Sequence, residues 1–154
     1  MAADDQELID ALVQTSFATM AVLNRVAAEH DLSLTQLRVL GILIDRRIKM
    51  SELADFLGLD KSTVSGLVDR AEKRGLMRRA ANQADGRAVD VFLSEAGMEL
   101  AARGRAEVRR SLSSMTGTLT KAESRRLTVL LEQLLAMTAS SGMTPHTAMP
   151  ARAP

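Results

Sequence analysis

Apolar residues recur at helical spacing along most of the chain, which predicts a mainly α-helical protein. A broad apolar band over residues 5–30 predicts a long first helix. A second helix follows the capping-box pair Ser33 and Gln36. It is expected to end near Arg46 and Arg47, because positive charge suits the C-terminal end of a helix.

Two short helices are predicted next. Ser51 can cap a third helix over residues 52–57, and Gly58 supplies a left-handed stop. Asp60 is a good N-cap for a fourth helix, whose apolar face begins at Val64 and which ends at Gly75. Before the third helix, residues 48–50 are long enough only for a brief strand.

The pattern then changes from helical to extended. Residues 76–80 and 88–93 are predicted as two strands of a hairpin, and the Asp85-Gly86 dipeptide marks its turn. Ser94 can cap a fifth helix that reaches about residue 114. Thr120 and Glu123 form a second capping box, which opens a sixth helix with leucines at helical spacing. The last residues, 141–154, are rich in Pro, Gly and Thr and are expected to form a disordered tail.

Composition excludes several kinds of protein. The chain has 154 residues, with 20 Lys and Arg against 19 Asp and Glu, and it has no cysteine. The missing cysteines exclude disulfides, thiolate zinc sites and cysteine nucleophiles. Two histidines are too few for a histidine-rich metal centre, and the sequence shows no catalytic triad or phosphate-binding loop. We therefore expect neither catalytic residues nor a metal or cofactor, and a cytoplasmic protein without a membrane span.

Charge is concentrated in the middle of the chain. Residues 61–87 hold seven basic and three acidic side chains within a protein that is almost neutral overall. On the fourth helix, small hydroxyl and basic side chains lie opposite the apolar face, where hydroxyls could donate to phosphates or touch base edges. Arg87 in the hairpin loop is long enough to enter a minor groove. Asp85 is either placed to hold its guanidinium or only a turn former, because Asp-Gly suits turns regardless of function. The candidate DNA-binding residues are Lys61, Ser62, Thr63, Ser65, Gly66, Arg70, Lys73, Arg74, Asp85 and Arg87.

Two helices followed by a hairpin are the layout of a winged helix-turn-helix. With these elements in order, the sequence resembles the MarR (multiple-antibiotic-resistance regulator) family of transcription factors over residues 32–100. The resemblance is carried by the segments LTQLRVL (34–40), SELA (51–54), LGLDKSTVS (57–65), LVDR (67–70), EKRGL (72–76), DGR (85–87) and LSEAG (93–97). Three residues depart from the family pattern: Gly66, Ala71 and Gly86, the last of which replaces a wing arginine.

The resemblance implies a fold, partners and a function. Residues 1–140 would form one mainly α domain with a small β-hairpin wing. Residues 1–30 and 95–140 would be dimerisation helices, and residues 33–93 the DNA-binding winged helix, with the helix-turn-helix at about 51–74 and the wing at about 76–93. The homodimer would bind palindromic operator DNA as a repressor. A small anionic or phenolic effector would release it.

A second interpretation remains open from the residues alone. Winged helices also mediate contacts between proteins, and basic residues on a helix are often only a solvated face. Arg87 and the hydroxyl-rich face of the fourth helix favour DNA. Gly66 has two explanations as well: it is either a tolerated helix glycine or a place where the helix backbone comes close to DNA.

Overall fold

The computed structural model describes residues 3–140, and the predicted tail at 141–154 lies outside the described residues. Six helices and three short strands follow one another along the chain. The helices are α1 (Ala3–Glu29), α2 (Leu34–Leu43), α3 (Met50–Leu57), α4 (Lys61–Lys73), α5 (Glu95–Thr116) and α6 (Lys121–Ser140). The strands are β1 (Arg47–Lys49), β2 (Met77–Ala81) and β3 (Val89–Leu93). This mainly α architecture with a small β-sheet confirms the predicted fold class.

Local capping fixes most of the helix starts as the sequence predicted. Ser33 and Gln36 exchange both hydrogen bonds of a capping box at the start of α2. Ser94 accepts from the Gly97 N–H at the start of α5. Glu123 and Thr120 bond reciprocally before α6. Each bond joins residues three positions apart, so the sequence alone contains both partners.

The boundaries around β1 differ from the prediction. Helix α2 ends at Leu43 and not near Arg46 and Arg47, because Asp45 adopts a left-handed conformation with φ of 56° and turns the chain. Arg47 then begins β1. Ser51 does not cap α3, since the helix already begins at Met50, and the Glu52 carboxylate accepts instead from the Lys49 N–H at 2.8 Å.

The three strands form one antiparallel sheet in the order β1-β3-β2. Strands β2 and β3 are the predicted hairpin, with Met77 paired to Leu93 and Ala81 to Val89. Strand β1 adds a third strand on the other side of β3, with Ile48 opposite Val91. The sheet therefore joins the base of the hairpin to the segment between α2 and α3.

A single hydrophobic core unites the middle of the chain. It is formed by apolar side chains of α2, α3, α4 and the sheet, closed by residues of α5. The side chains with almost no exposed surface are Val26, Val39, Leu40, Ile42, Leu43, Leu53, Val64, Val68 and Val91. This core packs α3, α4 and the hairpin against one another.

The two terminal helices remain largely outside this core. Between residues 5 and 137, α1 buries only Val26 and Ala27, and α6 buries no side chain. Large apolar side chains stay exposed on both helices, and Phe17 has 73% of its surface in solvent. The exposed set includes Leu8, Ile9, Leu12, Val13 and Met20 on α1, and Leu127, Leu130, Leu131 and Leu134 on α6. Within residues 3–140, no helix is long and apolar enough to cross a membrane.

Candidate nucleic-acid interface

Helices α3 and α4 form the helix-turn-helix. They are joined at Gly58, whose φ of 60° ends α3 in the left-handed conformation that favours glycine. Helix α4 buries one face, formed by Val64, Leu67, Val68 and Ala71. Its opposite face is open to solvent and carries the predicted residues Lys61, Ser62, Thr63, Arg70 and Lys73, with Ser65 and Gly66 half-buried beside them.

The start of α4 is held by one carboxylate. Asp60 Oδ1 accepts from the Thr63 N–H at 2.9 Å and from the Ser62 hydroxyl at 2.5 Å. Asp60 Oδ2 accepts from the Thr63 hydroxyl at 2.6 Å. These hydrogen bonds hold the pKa of Asp60 well below its usual range. The largest effect is that of the Ser62 hydroxyl, and the hydroxyl and N–H of Thr63 come next. Asp60 is therefore an N-cap, as predicted, and also orients the first hydroxyl groups of the exposed face.

The wing loop is ordered by its own side chains. Asn82 Oδ1 accepts from the backbone N–H groups of Ala84 and Asp85. Asp85 Oδ1 accepts from the Arg87 backbone N–H at 3.1 Å. The prediction that Asp85 holds the Arg87 guanidinium is wrong in this structure, since its carboxylate is turned towards the backbone two residues later. Arg87 is exposed, and its guanidinium makes no ion pair with Asp85 in the described part of the chain.

An open cleft of about 460 Å³ lies between the wing and the start of α4. Four cationic side chains line it: Lys49, Lys61, Arg79 and Arg87. Ser65 and Asp85 also line the cleft. The fold thus brings the predicted residues Lys61, Ser65, Asp85 and Arg87 together. It adds Lys49 from β1 and Arg79 from β2, which the sequence analysis missed.

Arg79 fastens the wing to α4. Its guanidinium pairs with Asp69 at 2.7 Å and with Glu72, and it donates to the Ser65 carbonyl oxygen at 3.0 Å. The Glu72 carboxylate also accepts from the Arg79 backbone N–H at 3.0 Å. Asp69 and Glu72 are three residues apart, so they lie on the same side of α4. This spacing in the sequence could have predicted a basic partner for the pair.

The base of the wing is held from β1. Asp90 is 5% exposed, and it accepts from Arg47 Nε at 2.8 Å and from the Asn82 amide at 2.7 Å. These hydrogen bonds, first that of Asn82 and then that of Arg47, lower the pKa of Asp90. A charged Asp90 therefore joins β1, β3 and the first residue of the wing loop.

Arg74 lies away from this cleft. Its guanidinium donates to the backbone carbonyl oxygens of Asp31, at 2.8 Å, and His30, at 3.3 Å. His30 in turn lies 2.8 Å from a Glu107 carboxylate oxygen on α5. The structure thus gives Arg74 a contact with the end of α1, and its predicted contact with a phosphate stays a prediction.

Gly66 has room for a side chain in the free protein. A Cβ atom built there would have Arg70 Nη1 as its nearest neighbour, at 3.5 Å, which is an ordinary contact. We expect Gly66→Ala to raise the free energy of unfolding by about 1 kcal/mol through helix propensity. We also expect weaker DNA binding, because the added methyl group would face the DNA.

Urea unfolding and a DNA-binding titration on the same protein test this prediction. Gly41→Ala is the matched control, since Gly41 is also helical and a Cβ there would meet nothing within 4 Å. The control should gain stability without losing affinity. Undiminished DNA binding by Gly66→Ala would contradict a close approach of the α4 backbone.

Comparisons with known proteins agree with this geometry. A family model described as the MarR family matches residues 30–88. The uncharacterized HTH-type transcriptional regulator YfiV of Bacillus subtilis is 33% identical over 91 residues, which are 56% of this chain. The matched segment spans 57% of that relative's length, little more than half. The homoprotocatechuate degradative operon repressor of Escherichia coli is 25% identical over 128 residues, or 82% of this chain and 86% of that protein.

A solved structure extends the likeness beyond the matched segment. The crystal structure of a MarR mutant from Escherichia coli complexed with operator DNA matches with a TM-score of 0.67 and 25% identity. The match covers 84% of this chain and 94% of that chain. It therefore includes terminal helices as well as the winged helix.

Proposed function

We propose that this chain is a DNA-binding transcriptional regulator of the MarR family, whose model matches residues 30–88 and whose operator-bound structure from Escherichia coli it resembles. The observation that carries the proposal is the exposed face of α4 beside the basic cleft. Helix α4 would enter the major groove, and Arg87 on the wing would reach the neighbouring minor groove. Cations at the cleft, Lys49 and Lys61 among them, would neutralise phosphates.

We further propose that the active form is a homodimer on a palindromic operator. The exposed apolar side chains of α1 and α6 support this, because surface of this kind is normally buried against a partner. Two copies related by a two-fold axis would present two α4 helices to successive major grooves. Such a protein acts on the chromosome, so we expect it in the cytoplasm.

We propose repression as its mode of action. The support is the Escherichia coli relative that is named as an operon repressor and that matches 82% of this chain. A dimer that covers an operator blocks transcription by occupancy, and this requires no catalytic group and no cofactor.

A small anionic or phenolic effector is the remaining part of the proposal. A second open cleft, of about 340 Å³, lies between the end of α2 and α5. Arg105 and Arg109 line it together with the carboxylate-bearing Asp45 and the apolar side chains of Ile44 and Met98. The two arginines would pair with an acidic group and the apolar side chains would contact a ring, and the cleft joins the winged helix to a predicted dimerisation helix. Titration of the DNA complex with small aromatic acids tests for release.

Selection from a random duplex pool is the direct test of the function. We expect the protein to enrich a palindromic sequence, and we expect its affinity for random duplex to fall steeply between two salt concentrations. A winged helix that serves protein contacts would enrich no sequence and show no steep salt dependence. That result would overturn the proposed function.

Arg87→Ala measures the contribution of the wing. We expect this variant to bind the selected operator more weakly by roughly 1–3 kcal/mol, the value of one groove contact of an arginine. Asp85→Ala should give a smaller loss, because Asp85 accepts a backbone hydrogen bond within the loop, and its negative charge would not pair with a phosphate. Titration with labelled operator at physiological salt gives both values.

Arg103→Ala is the control for loss of one charge, since Arg103 is exposed on α5 outside the winged helix. Its affinity should stay close to that of the parent. Equal losses of operator affinity for Arg87→Ala and Arg103→Ala would show that Arg87 contributes only through the net charge of the protein.

A further inference from the structure

The hydroxyl groups at the start of α4 already donate their protons within the protein. Ser62 Oγ lies 2.5 Å from one oxygen of Asp60, and Thr63 Oγ1 lies 2.6 Å from the other. An ionised carboxylate can only accept hydrogen bonds, and a hydroxyl has one proton and two lone pairs. Both protons therefore point at Asp60, and lone pairs are what each hydroxyl has left for another molecule.

The same contacts keep Asp60 charged. The two hydroxyls and the Thr63 N–H lower its pKa, so the carboxylate remains an acceptor at neutral pH. Its two oxygens also have fixed partners, because the Thr63 N–H occupies Oδ1 together with the Ser62 hydroxyl. Ser62 and Thr63 themselves are exposed on the face of α4 proposed to enter the groove.

We infer that Ser62 and Thr63 act as hydrogen-bond acceptors towards DNA and recognise the exocyclic amino groups of adenine or cytosine in the major groove. In that groove, adenine N6 and cytosine N4 donate, whereas guanine O6 and N7, thymine O4 and the phosphate oxygens accept. A phosphate oxygen accepts hydrogen bonds, so it would need the hydroxyl protons that Ser62 and Thr63 already donate to Asp60. The inference rests on the proposed DNA-binding function and makes Asp60 the positioning residue for this readout.

Removal of single amino groups from the DNA tests the inference. The duplex recovered from the random pool is resynthesised with purine in place of each adenine, or 2-pyrimidinone in place of each cytosine, one position at a time. At the bases that face Ser62 and Thr63, we expect the parent protein to bind about tenfold more weakly, as for the loss of one base contact. The same replacement outside the contacted bases controls for the altered base pair.

Variants then assign the loss to the hydroxyls. Ser62→Ala and Thr63→Val each remove one hydroxyl. Each variant should bind the intact duplex and the duplex that lacks the amino group at the base contacted by the missing hydroxyl with equal affinity. Asp60→Asn keeps a good N-cap, so α4 should still form. The amide oxygen of this variant would accept from the Thr63 N–H, which places its NH₂ group opposite Thr63 Oγ1. The NH₂ group donates to that hydroxyl oxygen, so the Thr63 hydroxyl proton is free to point towards the groove.

Asp60→Asn should therefore change base preference as well as affinity. In a new selection, we expect the position read by Thr63 to shift towards a base that presents an acceptor, guanine O6 or thymine O4. A parent that binds every amine-free duplex normally would overturn the inference and leave the proposed function intact. The inference would also be overturned if Ser62→Ala and Thr63→Val lost as much affinity as the parent when the amino groups are removed from the duplex. A parent that enriches no sequence would overturn both.

Discussion

Replacement of Gly97 by alanine should unfold the winged helix or weaken it severely. Gly97 lies in the first turn of α5, where a Cβ atom would stand 2.0 Å from the Leu76 carbonyl oxygen and 3.3 Å from the Leu93 Cβ. That carbonyl cannot move away freely, because it accepts from the Ser94 N–H at 3.0 Å. We expect Gly97→Ala to lower the free energy of unfolding by about 3 kcal/mol or more, the upper range for overpacking.

Gly41→Ala is again the control, since it makes the same change within a helix but meets open space. It should gain up to about 1 kcal/mol from helix propensity. Urea unfolding followed by circular dichroism compares the two variants with the parent. A Gly97→Ala protein as stable as the parent would show that α5 can shift away from the start of β2, and that this helix is not fixed by the Leu76 backbone.

The paired substitution Leu130→Glu and Leu134→Glu should prevent the proposed dimerisation and leave the winged helix folded. Both leucines are exposed in the single chain, by 45% and 46%, and neither belongs to the core. Two carboxylates on this face would have to be desolvated in an interface, which is unfavourable without partners. We expect a monomer in light scattering and an operator affinity lower by about 100-fold or more, because binding through two linked sites is lost.

Gln133→Glu adds a carboxylate to the same helix and serves as the control. Gln133 lies outside the leucine row, so this variant should remain a dimer with normal affinity. The winged-helix core of the double variant should remain as stable as in the parent. The urea concentration at its unfolding midpoint should equal that of the parent protein dissociated into single chains. A double variant that remains dimeric would place the interface elsewhere and contradict the role proposed for α6.

Local interactions account for what the sequence predicted well. Asp60, Ser94 and Gly58 each act within a few residues of their own position, through a cap or a left-handed turn. Helical periodicity identified the buried face of α4, and with it the exposed face that carries most of the candidate residues. The fold class and the family resemblance followed from the same patterns, and both are confirmed.

Residues whose partners are distant in the chain could not be assigned from the sequence. Arg79 contacts Ser65 across 14 positions, and Arg74 contacts Asp31 across 43, so nothing local distinguishes either from a phosphate-binding arginine. Strand β1 offers only three residues, too few for a periodic signal. Its pairing with β3 nevertheless brings Lys49 to the cleft.

The sequence by itself determined the helices, most of their N-caps and the side of α4 that faces solvent, because these depend on hydrogen bonds and burial patterns that repeat within a few residues. Only the tertiary structure decided which cations face the cleft. Lys49 comes from β1, Lys61 from α4, Arg79 from β2 and Arg87 from the wing loop, and packing against one shared core brings these segments together. The same packing places Arg74 beside the end of α1, where two of its five N–H donors bond the backbone carbonyl oxygens of Asp31 and His30.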